Sequence, residues 1–308
     1  MIMFKKFIDN ITLTSNQQDD AKKKYTGVCE TLYKHYYGDG KYDSNKQFLF
    51  GSYKTKTNVR PLTSDQDVDV LFKISQSTFD NYDAYKTNGQ SALLQDVRNA
   101  LKDKYSTTDT IKAWGKVVLV EFSENHHNVE LLPALELEDG TFKIPNTEGE
   151  GSWEIFDPRT EVAKFDKSNS STSGLTRDLA KMLKAWAHNT TSMSYPSYKR
   201  LDDIIAFLDA FYPEGEKVDK YGKVVCEFFD YMRSHCSDDI ESYIKTAYSR
   251  AQKALQHKDD GKEIEASEEW IKIFGTEFPK ATKNKEENRS ESISTNPSRP
   301  WLDLQKMK

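Results

Sequence analysis

The spacing of apolar residues changes from a two-residue period to a helical period along this chain of 308 residues. Val68 and Val70 alternate with Asp67 and Asp69, as expected for a strand that has one buried face. From Leu175 onward the apolar residues recur at steps of three and four, which predicts helices. The sequence therefore predicts an α+β fold, with a mixed sheet in the first half and a helical second half.

The first 160 or so residues contain signals for one long helix and several strands. The helix covers Ser15 to Tyr36, behind a predicted cap formed by Ser15 and by Gln18 three residues later. Runs rich in β-branched and aromatic residues predict strands at 48–50, 68–72, 117–122 and 128–132. The last two runs are separated by polar residues 123–125 and predict a hairpin, while Gly51-Ser52 predicts a turn.

The second half contains apolar residues at the spacing of amphipathic helices. A predicted helix from Asp238 to Lys258 ends before Gly261. Two further helix faces are formed by the following residues: Leu179, Met182, Leu183 and Trp186; Ile204, Ile205, Leu208 and Phe211. The segment from Lys280 to Arg299 is polar, and we predict weak order there except near Trp301 and Leu302.

Composition excludes several classes of protein. The net charge of −5 argues against bulk duplex nucleic acid as the main partner, because such proteins carry a strong basic face. The chain contains no apolar run near the ~20 residues that a membrane helix needs, so we expect a cytoplasmic protein without membrane contact. Cys29, Cys226 and Cys236 are far apart and are expected to be small buried residues rather than zinc ligands.

Three acidic residues are candidates for metal binding. Asp67 and Asp69 are two apart on a predicted strand, so both carboxylates project from the same face and repel each other unless a cation is bound. Glu130 lies among apolar residues of a later strand, where a charge is costly unless it is paired or bound to metal. The alternatives are a solvated polar strand face for the aspartates and an edge strand for Glu130.

Two other features could bind phosphate. Gly51 allows the backbone to approach a ligand, and Ser52 adds a hydroxyl beside backbone N–H donors. Arg177, Lys181, Lys184 and His188 follow one another at steps of four, three and four and form one basic stripe on a helix. That stripe could neutralise a triphosphate or could simply be a solvated helix face, which is the reading we favour for His188.

In combination, these motifs resemble the nucleotidyltransferases of the DNA polymerase β type. More narrowly, the chain resembles the bacterial relatives of cyclic GMP-AMP synthase and oligoadenylate synthase, the CD-NTase family. The segments that carry the resemblance are 51–61, 64–70, 129–134, Trp153 with Asp157-Pro158, and 178–186. The resemblance implies a bilobed enzyme with the nucleotide in the cleft. We accordingly predict a nucleotidyltransferase core with its N-terminal helix at 1–160, a helical nucleotide-binding lobe at 161–280 and a polar tail at 281–308.

The resemblance also implies roles for individual residues. The catalytic and metal-binding residues would be Asp67, Asp69 and Glu130, holding two Mg²⁺ ions or alternatively Mn²⁺, and the family usually has Asp where this chain has Glu130. The nucleotide-binding residues would be Gly51, Ser52, Lys181, Lys184, Ser197 and Tyr198. Tyr198 would stack on the base, with Ser194-Tyr195 as a rival placement for the Ser197-Tyr198 pair.

The activity implied by the resemblance is synthesis of a cyclic di- or trinucleotide from nucleoside triphosphates in bacterial antiphage signalling. The zinc insert and basic platform of the animal DNA sensor have no counterpart here, so we expect no activation by duplex DNA. We expect a monomer whose activity regulatory proteins could control. The alternatives are template-independent transfer of nucleotides to RNA or protein, and a catalytically silent nucleotide-binding protein.

Overall fold

A computed structural model describes residues 2–63, 67–106, 110–122, 127–212 and 220–282. Eleven α-helices and seven β-strands lie within these ranges. In chain order they are α1 (Ile2–Ile11), α2 (Ser15–Tyr37), β1 (Gln47–Leu49), α3 (Gly51–Thr55), β2 (Val68–Ile74), α4 (Gln76–Asp83), α5 (Gly89–Lys104), β3 (Thr110–Trp114), β4 (Val117–Glu121), β5 (Val129–Glu136), β6 (Phe142–Asn146), β7 (Ser152–Phe156), α6 (Pro158–Ser171), α7 (Leu175–Asn189), α8 (Ser197–Phe211), α9 (Tyr221–Met232), α10 (Asp238–Asp259) and α11 (Glu263–Phe274).

The seven strands form one mixed sheet in the order β1-β2-β5-β4-β3, and β6 extends it by pairing with β5 and β7. The β2–β5 pair is parallel, whereas the other pairs are antiparallel. The predicted α+β class with a mixed sheet is therefore confirmed. The antiparallel β4–β5 pair confirms the predicted hairpin, although residues 123–126 at its turn lie outside the described residues.

The two faces of the sheet have different surroundings. Val68 and Val70 point to the face covered by α2 and α5, where they join a large apolar cluster. Leu71 and Leu132 point to the opposite face and pack in a smaller cluster with Phe142. Because side chains alternate along a strand, Asp69 and Glu130 lie on that opposite face, just beyond the smaller cluster.

The second large cluster is helical and includes the beginning of the chain. Phe4 and Phe7 on α1 pack against aromatic residues near the C-terminal end of the described chain, with ring centroids 5.0 Å apart for Phe4 and Trp270 and 4.8 Å apart for Phe7 and Phe274. The sequence analysis did not predict α1. The helical lobe is thus built from α1 together with helices from α7 onward.

The sequence predictions for local structure need three corrections. The cap of α2 is Thr14 with Gln17, because their side chains and backbone N–H groups bond reciprocally, and Gln18 instead donates to the Leu13 carbonyl. Gly51 begins the short helix α3 rather than a simple turn. Asp67 lies immediately before β2 rather than within it.

Other predictions are confirmed by the structure or fall outside it. The helix predicted at Asp238–Lys258 is α10. Cys29 and Cys226 are buried, while Cys236 is half-buried. The weak order expected from Lys280 to Arg299, with the exception near Trp301 and Leu302, concerns residues that lie almost entirely outside the described ones, which end at 282. Across the described ranges, the helices are all too short or too polar to cross a membrane.

Candidate active site

The parallel pairing of β2 with β5 brings two of the predicted acids together. Asp69 and Glu130 are direct partners in the register, so their side chains project side by side from strands about 4.8 Å apart. The ladder begins where the Val68 N–H donates to the Asn128 carbonyl at 2.9 Å. Asp67, two residues before Asp69, lines the same cavity as the other two acids.

Gly51 packs directly against Asp69. Its φ is +59°, and a β-carbon built on it would lie 2.2 Å from Asp69 Oδ2. The Phe50 N–H donates to the Asp69 carbonyl at 3.3 Å, which fixes the start of α3 on β2. Only glycine combines this backbone conformation with the space that the Asp69 carboxylate occupies.

The three acids line a cavity of about 480 Å³ between the sheet and the helical lobe, which we call the carboxylate cavity. Of the nine site residues expected from the sequence, eight line it: Gly51, Ser52, Asp67, Asp69, Glu130, Lys184, Ser197 and Tyr198. Lys184 comes from α7, and the last two come from the first turn of α8. The volume is in the range of small-molecule sites.

The carboxylates perturb one another. Burial, followed by the charge of Glu130, raises the pKa of Asp69 from 3.8 to about 7, while nearby Lys184 acts in the opposite direction. Burial and the charge of Asp67 also raise the pKa of Glu130. The three acids are thus held together at a cost that a bound cation would remove.

The donor set fits hard divalent cations. Carboxylate oxygens are the ligands that Mg²⁺ prefers, and Gly51 leaves room for the Asp69 carboxylate in the cavity. Among the described residues, however, no group of three or more acidic, histidine or cysteine side chains is gathered closely enough to hold an ion alone. An ion bound by fewer protein side chains would need water or substrate phosphates to complete its coordination.

The structure separates Lys181 from the expected site. Its Nζ donates to Thr12 Oγ1 at 3.0 Å, between α1 and α2, and Lys181 does not line the carboxylate cavity. Burial lowers the pKa of the Lys181 ammonium group. Arg177 also serves a structural contact, because its Nε donates to the Thr55 carbonyl at 3.1 Å. Of the four residues in the basic stripe, Lys184 is the one that lines the carboxylate cavity.

The two candidate Ser-Tyr pairs occupy different places. Tyr198 is 74% exposed and lines the carboxylate cavity, as Ser197 does. Tyr195 is 7% exposed, and its hydroxyl donates to Asp203 at 2.6 Å. The side chain that is available to stack on a ligand in the carboxylate cavity is therefore Tyr198 rather than Tyr195.

Sequence reasoning missed part of the cavity wall. Phe156 at the end of β7 and the apolar residues Val162, Leu201 and Ile204 line it, together with Glu161 and Arg200. Ile204 belongs to the helix face predicted from the sequence, but its spacing did not indicate what that face contacts, and Leu201 was not part of the prediction. Asp157, part of the family motif, caps α6 by accepting a bond from the Thr160 N–H at 3.1 Å.

A family model for the Second Messenger Oligonucleotide or Dinucleotide Synthetase domain matches residues 2–169, which is more than half of the chain. The chain belongs to this family. The resemblance to the bacterial relatives of cyclic GMP-AMP synthase is thereby confirmed, and the chain is a nucleotidyltransferase of the second-messenger synthetase family.

Individual relatives of this synthetase are distant in sequence. A probable cyclic nucleotide synthase of Bacillus cereus strain VD146 is 24% identical, over 83% of this chain and 87% of that protein. CdnC of E. coli MS115-1, in a complex with HORMA-deltaN, is 16% identical with a TM-score of 0.67, covering 90% of this chain and 98% of that chain. DncV of Vibrio cholerae, a cyclic AMP-GMP synthase bound to a linear intermediate, is 12% identical with a TM-score of 0.68. The match covers 88% of this chain and 94% of that chain. The two structural likenesses show a shared fold.

Proposed function

We propose that this synthetase joins nucleoside triphosphates into a cyclic di- or trinucleotide that serves as a second messenger in bacterial antiphage defence. Each step would release pyrophosphate, with a linear intermediate formed first and closed second. The curated relative from B. cereus, a probable cyclic nucleotide synthase, supports this product class. The observation that carries the proposal is the meeting of Asp67, Asp69 and Glu130 with Gly51 and Lys184 in one cavity.

We assign the three acids to binding two Mg²⁺ ions, or Mn²⁺ as the alternative. Ions bound there would supply charge neutralisation for the triphosphate and would favour ionisation of the attacking hydroxyl. Glu130 has one more methylene than the usual Asp, which lengthens its reach but keeps its charge.

The remaining roles follow from position in the carboxylate cavity. Lys184, Ser52 and the Gly51 backbone would hold the donor triphosphate, while Ser197 would donate its hydroxyl to phosphate and Tyr198 would stack on the base. A ribose hydroxyl oxygen then bonds to the α-phosphorus, and the bond from that phosphorus to the bridging oxygen breaks. Pyrophosphate leaves with the bonding electron pair. Glu130 would position the hydroxyl or accept its proton, and the raised pKa of its carboxyl group supports the second role.

We propose that the chain consists of a core at 1–160, a helical lobe at 161–280 and a tail at 281–308, with the nucleotide bound between the first two parts. Phe4, Phe7 and Ile11 of α1 pack in the apolar cluster of the helical lobe, which supports assigning residues 2–11 to that lobe. We further propose a cytoplasmic bacterial monomer that needs no duplex DNA. CdnC forms a complex with HORMA-deltaN, which supports a regulatory protein partner here as well.

The test is incubation of purified protein with all four nucleoside triphosphates and Mg²⁺ or Mn²⁺, followed by mass spectrometry of phosphatase-resistant products. We expect a cyclic product from the wild type and at least a ~1,000-fold loss for Asp69→Ala. An unchanged rate for Asp69→Ala would refute the assignment of the acids. Nucleotides attached to RNA or protein would instead support the alternative of template-independent transfer. If wild-type protein formed no product even with candidate partner proteins added, the alternative of a catalytically silent nucleotide-binding protein would be supported.

A further inference from the structure

A fourth carboxylate lines the carboxylate cavity, in addition to the three acids assigned to metal binding. It belongs to Glu161, which lies in the first turn of α6. The charged groups that shift the pKa of Glu161 are Asp202, Asp157 and Lys164, whereas the three acids perturb one another. The cavity therefore has two acidic regions, and the proposed metal site uses one of them.

Apolar side chains from β7, α6 and α8 share the cavity wall with Glu161. They are Phe156, Val162, Leu201 and Ile204. The exposed ring of Tyr198, in the first turn of α8, lines the same cavity. Aromatic and apolar surfaces bind the faces of a planar ring, and a polar group placed among them determines which ring is accepted.

Both carboxylate oxygens of Glu161 are available to a ligand. Among the described residues, Glu161 has no hydrogen-bond or ion-pair partner, while the neighbouring Lys164 ammonium group donates to Asp202 at 2.5 Å. Burial raises the pKa of the Glu161 carboxyl group, and the charges of Asp202 and Asp157 act in the same direction. Because an ionised carboxylate only accepts hydrogen bonds, a ligand that supplies donors would relieve this cost.

The four common bases differ in the donors that they offer to a carboxylate. Guanine presents two adjacent donors on its Watson–Crick edge, the N1–H and the N2 amino group. Adenine and cytosine have a ring-nitrogen acceptor beside their amino group, and the N3–H of uracil lies between two carbonyl acceptors. A carboxylate that accepts through both oxygens therefore pairs with guanine and repels an acceptor of each other base.

We propose that Glu161 selects guanine for the nucleotide whose base stacks on Tyr198, by accepting from N1–H and from the N2 amino group. This inference rests on the proposed function, because it names the base that is bound in the same cavity. An acid in the first turn of a helix also interacts favourably with the helix dipole. That second role is independent of the base, so a comparison between bases separates the two roles.

The test is binding of the α,β-methylene analogues of GTP, ITP and ATP to the full chain with Mg²⁺, measured by calorimetry. These analogues have carbon at the bond that breaks in the reaction, so binding is measured without turnover. The base of ITP lacks only the N2 amino group of guanine. We expect the wild type to bind the GTP analogue ~10-fold more tightly than the ITP analogue, and more tightly than the ATP analogue by at least that factor.

Glu161→Gln keeps the shape of the side chain but places an amide N–H₂ group against one of the guanine donors. The ratio of GTP to ITP affinity should therefore fall to within ~3-fold of one. The ATP analogue should gain ~10-fold relative to the GTP analogue, because an amide can donate to N1 of adenine and accept from its N6 amino group.

Asp157→Asn is the matched control, since it removes a charge that acts on Glu161 but belongs to a residue outside the cavity wall. Asparagine caps a helix as well as aspartate does, so this variant should keep the wild-type ratio. Equal affinity of the wild type for the GTP and ITP analogues would overturn the proposal without any variant. A ratio that persists in Glu161→Gln would also overturn it.

The product assay separates this proposal from the proposed function. With GTP and ATP at equal concentrations, we expect guanosine in the wild-type product and a larger share of adenosine with Glu161→Gln. A cyclic product from a chain that binds the GTP and ITP analogues equally would refute guanine selection alone. Binding that depends on Glu161, in a chain that forms no product from any nucleoside triphosphate, would refute the proposed function alone.

Discussion

Replacing Gly51 by alanine should disable the carboxylate cavity while the fold survives. The new β-carbon would lie 2.2 Å from Asp69 Oδ2, whereas ordinary contact begins at 3.4 Å, so the carboxylate oxygen must move by about 1.2 Å. Asp69 Cγ would also lie only 2.9 Å away, so the whole carboxylate must rotate out of the way, while the Asp69 Cβ, at 3.4 Å, can stay in place. A displacement of ~1 Å in a catalytic group can reduce the rate ~100-fold, and we expect at least that loss of pyrophosphate release.

Backbone strain from alanine at Gly51 needs its own control. Alanine at a positive φ costs about 1–2 kcal/mol wherever it occurs, which lowers Tm by a few degrees in a domain of this size. Gly115, in the turn between β3 and β4, has φ +57°, close to the +59° of Gly51, and a β-carbon there would have nothing within 4 Å. Gly115→Ala should therefore show the same fall in Tm and keep wild-type activity.

The assay compares both variants by pyrophosphate release, Tm and the Mn²⁺ concentration needed to raise Tm. We expect Gly51→Ala to lose activity and to need more Mn²⁺, because Asp69 no longer points into the cavity. Gly51→Ala with activity within ~3-fold of Gly115→Ala would refute the reasoning, since the contact with Asp69 would then have no consequence. Unfolding of Gly51→Ala alone would show that Asp69 cannot rotate away.

Three further predictions use the same purified protein. In EDTA at pH 8, Asp69→Asn should raise the free energy of unfolding by about 1–2 kcal/mol. The shift of the Asp69 pKa from 3.8 to about 7 corresponds to an upper limit of about 4 kcal/mol. Water in the cavity screens the charge and reduces this penalty. Because the folded-state pKa is the higher one, the metal-free wild type should gain stability as pH falls from about 7 towards 4. Denaturation by urea should show a smaller gain for Asp69→Asn, in which Glu130 still has a raised pKa. Lys184→Met should raise KM for the nucleotide ~10-fold or more in steady-state kinetics. Lys181→Met should leave KM within ~3-fold of the wild-type value, and it should lower the free energy of unfolding by about 1 kcal/mol because the hydrogen bond to Thr12 is lost. Tyr198→Phe should retain nucleotide affinity and Tyr198→Ala should lose ~10-fold, and equal affinities in a fluorescence titration would exclude stacking.

The sheet and the acids were predictable because their signals are local. Alternation along 68–72 assigns Asp69 and Val70 to opposite faces without any knowledge of the neighbouring strands. The pairing of strands was not predictable in this way, because no local feature of β2 or β5 indicates that Asp69 lies opposite Glu130. That step came from the resemblance to a known family, and the parallel register now provides its physical basis.

The missed helix α1 shows the limit of local signals. Its ten residues include three buried apolar side chains, but a helix this short is not stable by itself. Helix α1 is stabilised because Phe4 and Phe7 pack against Trp270 and Phe274, which lie more than 260 residues later in the chain. The prediction of the α2 cap was wrong for a related reason. Two pairs fit the capping pattern, Thr14 with Gln17 and Ser15 with Gln18, and the local sequence does not distinguish them.

Lys181 and Lys184 show why a stripe of charge does not determine a binding site. Three residues on a helix turn by about 300°, so the two ammonium groups leave α7 only about 60° apart. Their environments decide the rest: Thr12, at the junction of α1 and α2, meets Lys181, while the sheet carboxylates lie near Lys184. The junction exists because α1 packs in the helical lobe and α2 packs on the sheet. The bond from Lys181 to Thr12 therefore ties α7 to the segment that joins the lobes, which keeps Lys184 facing the acids across the cleft.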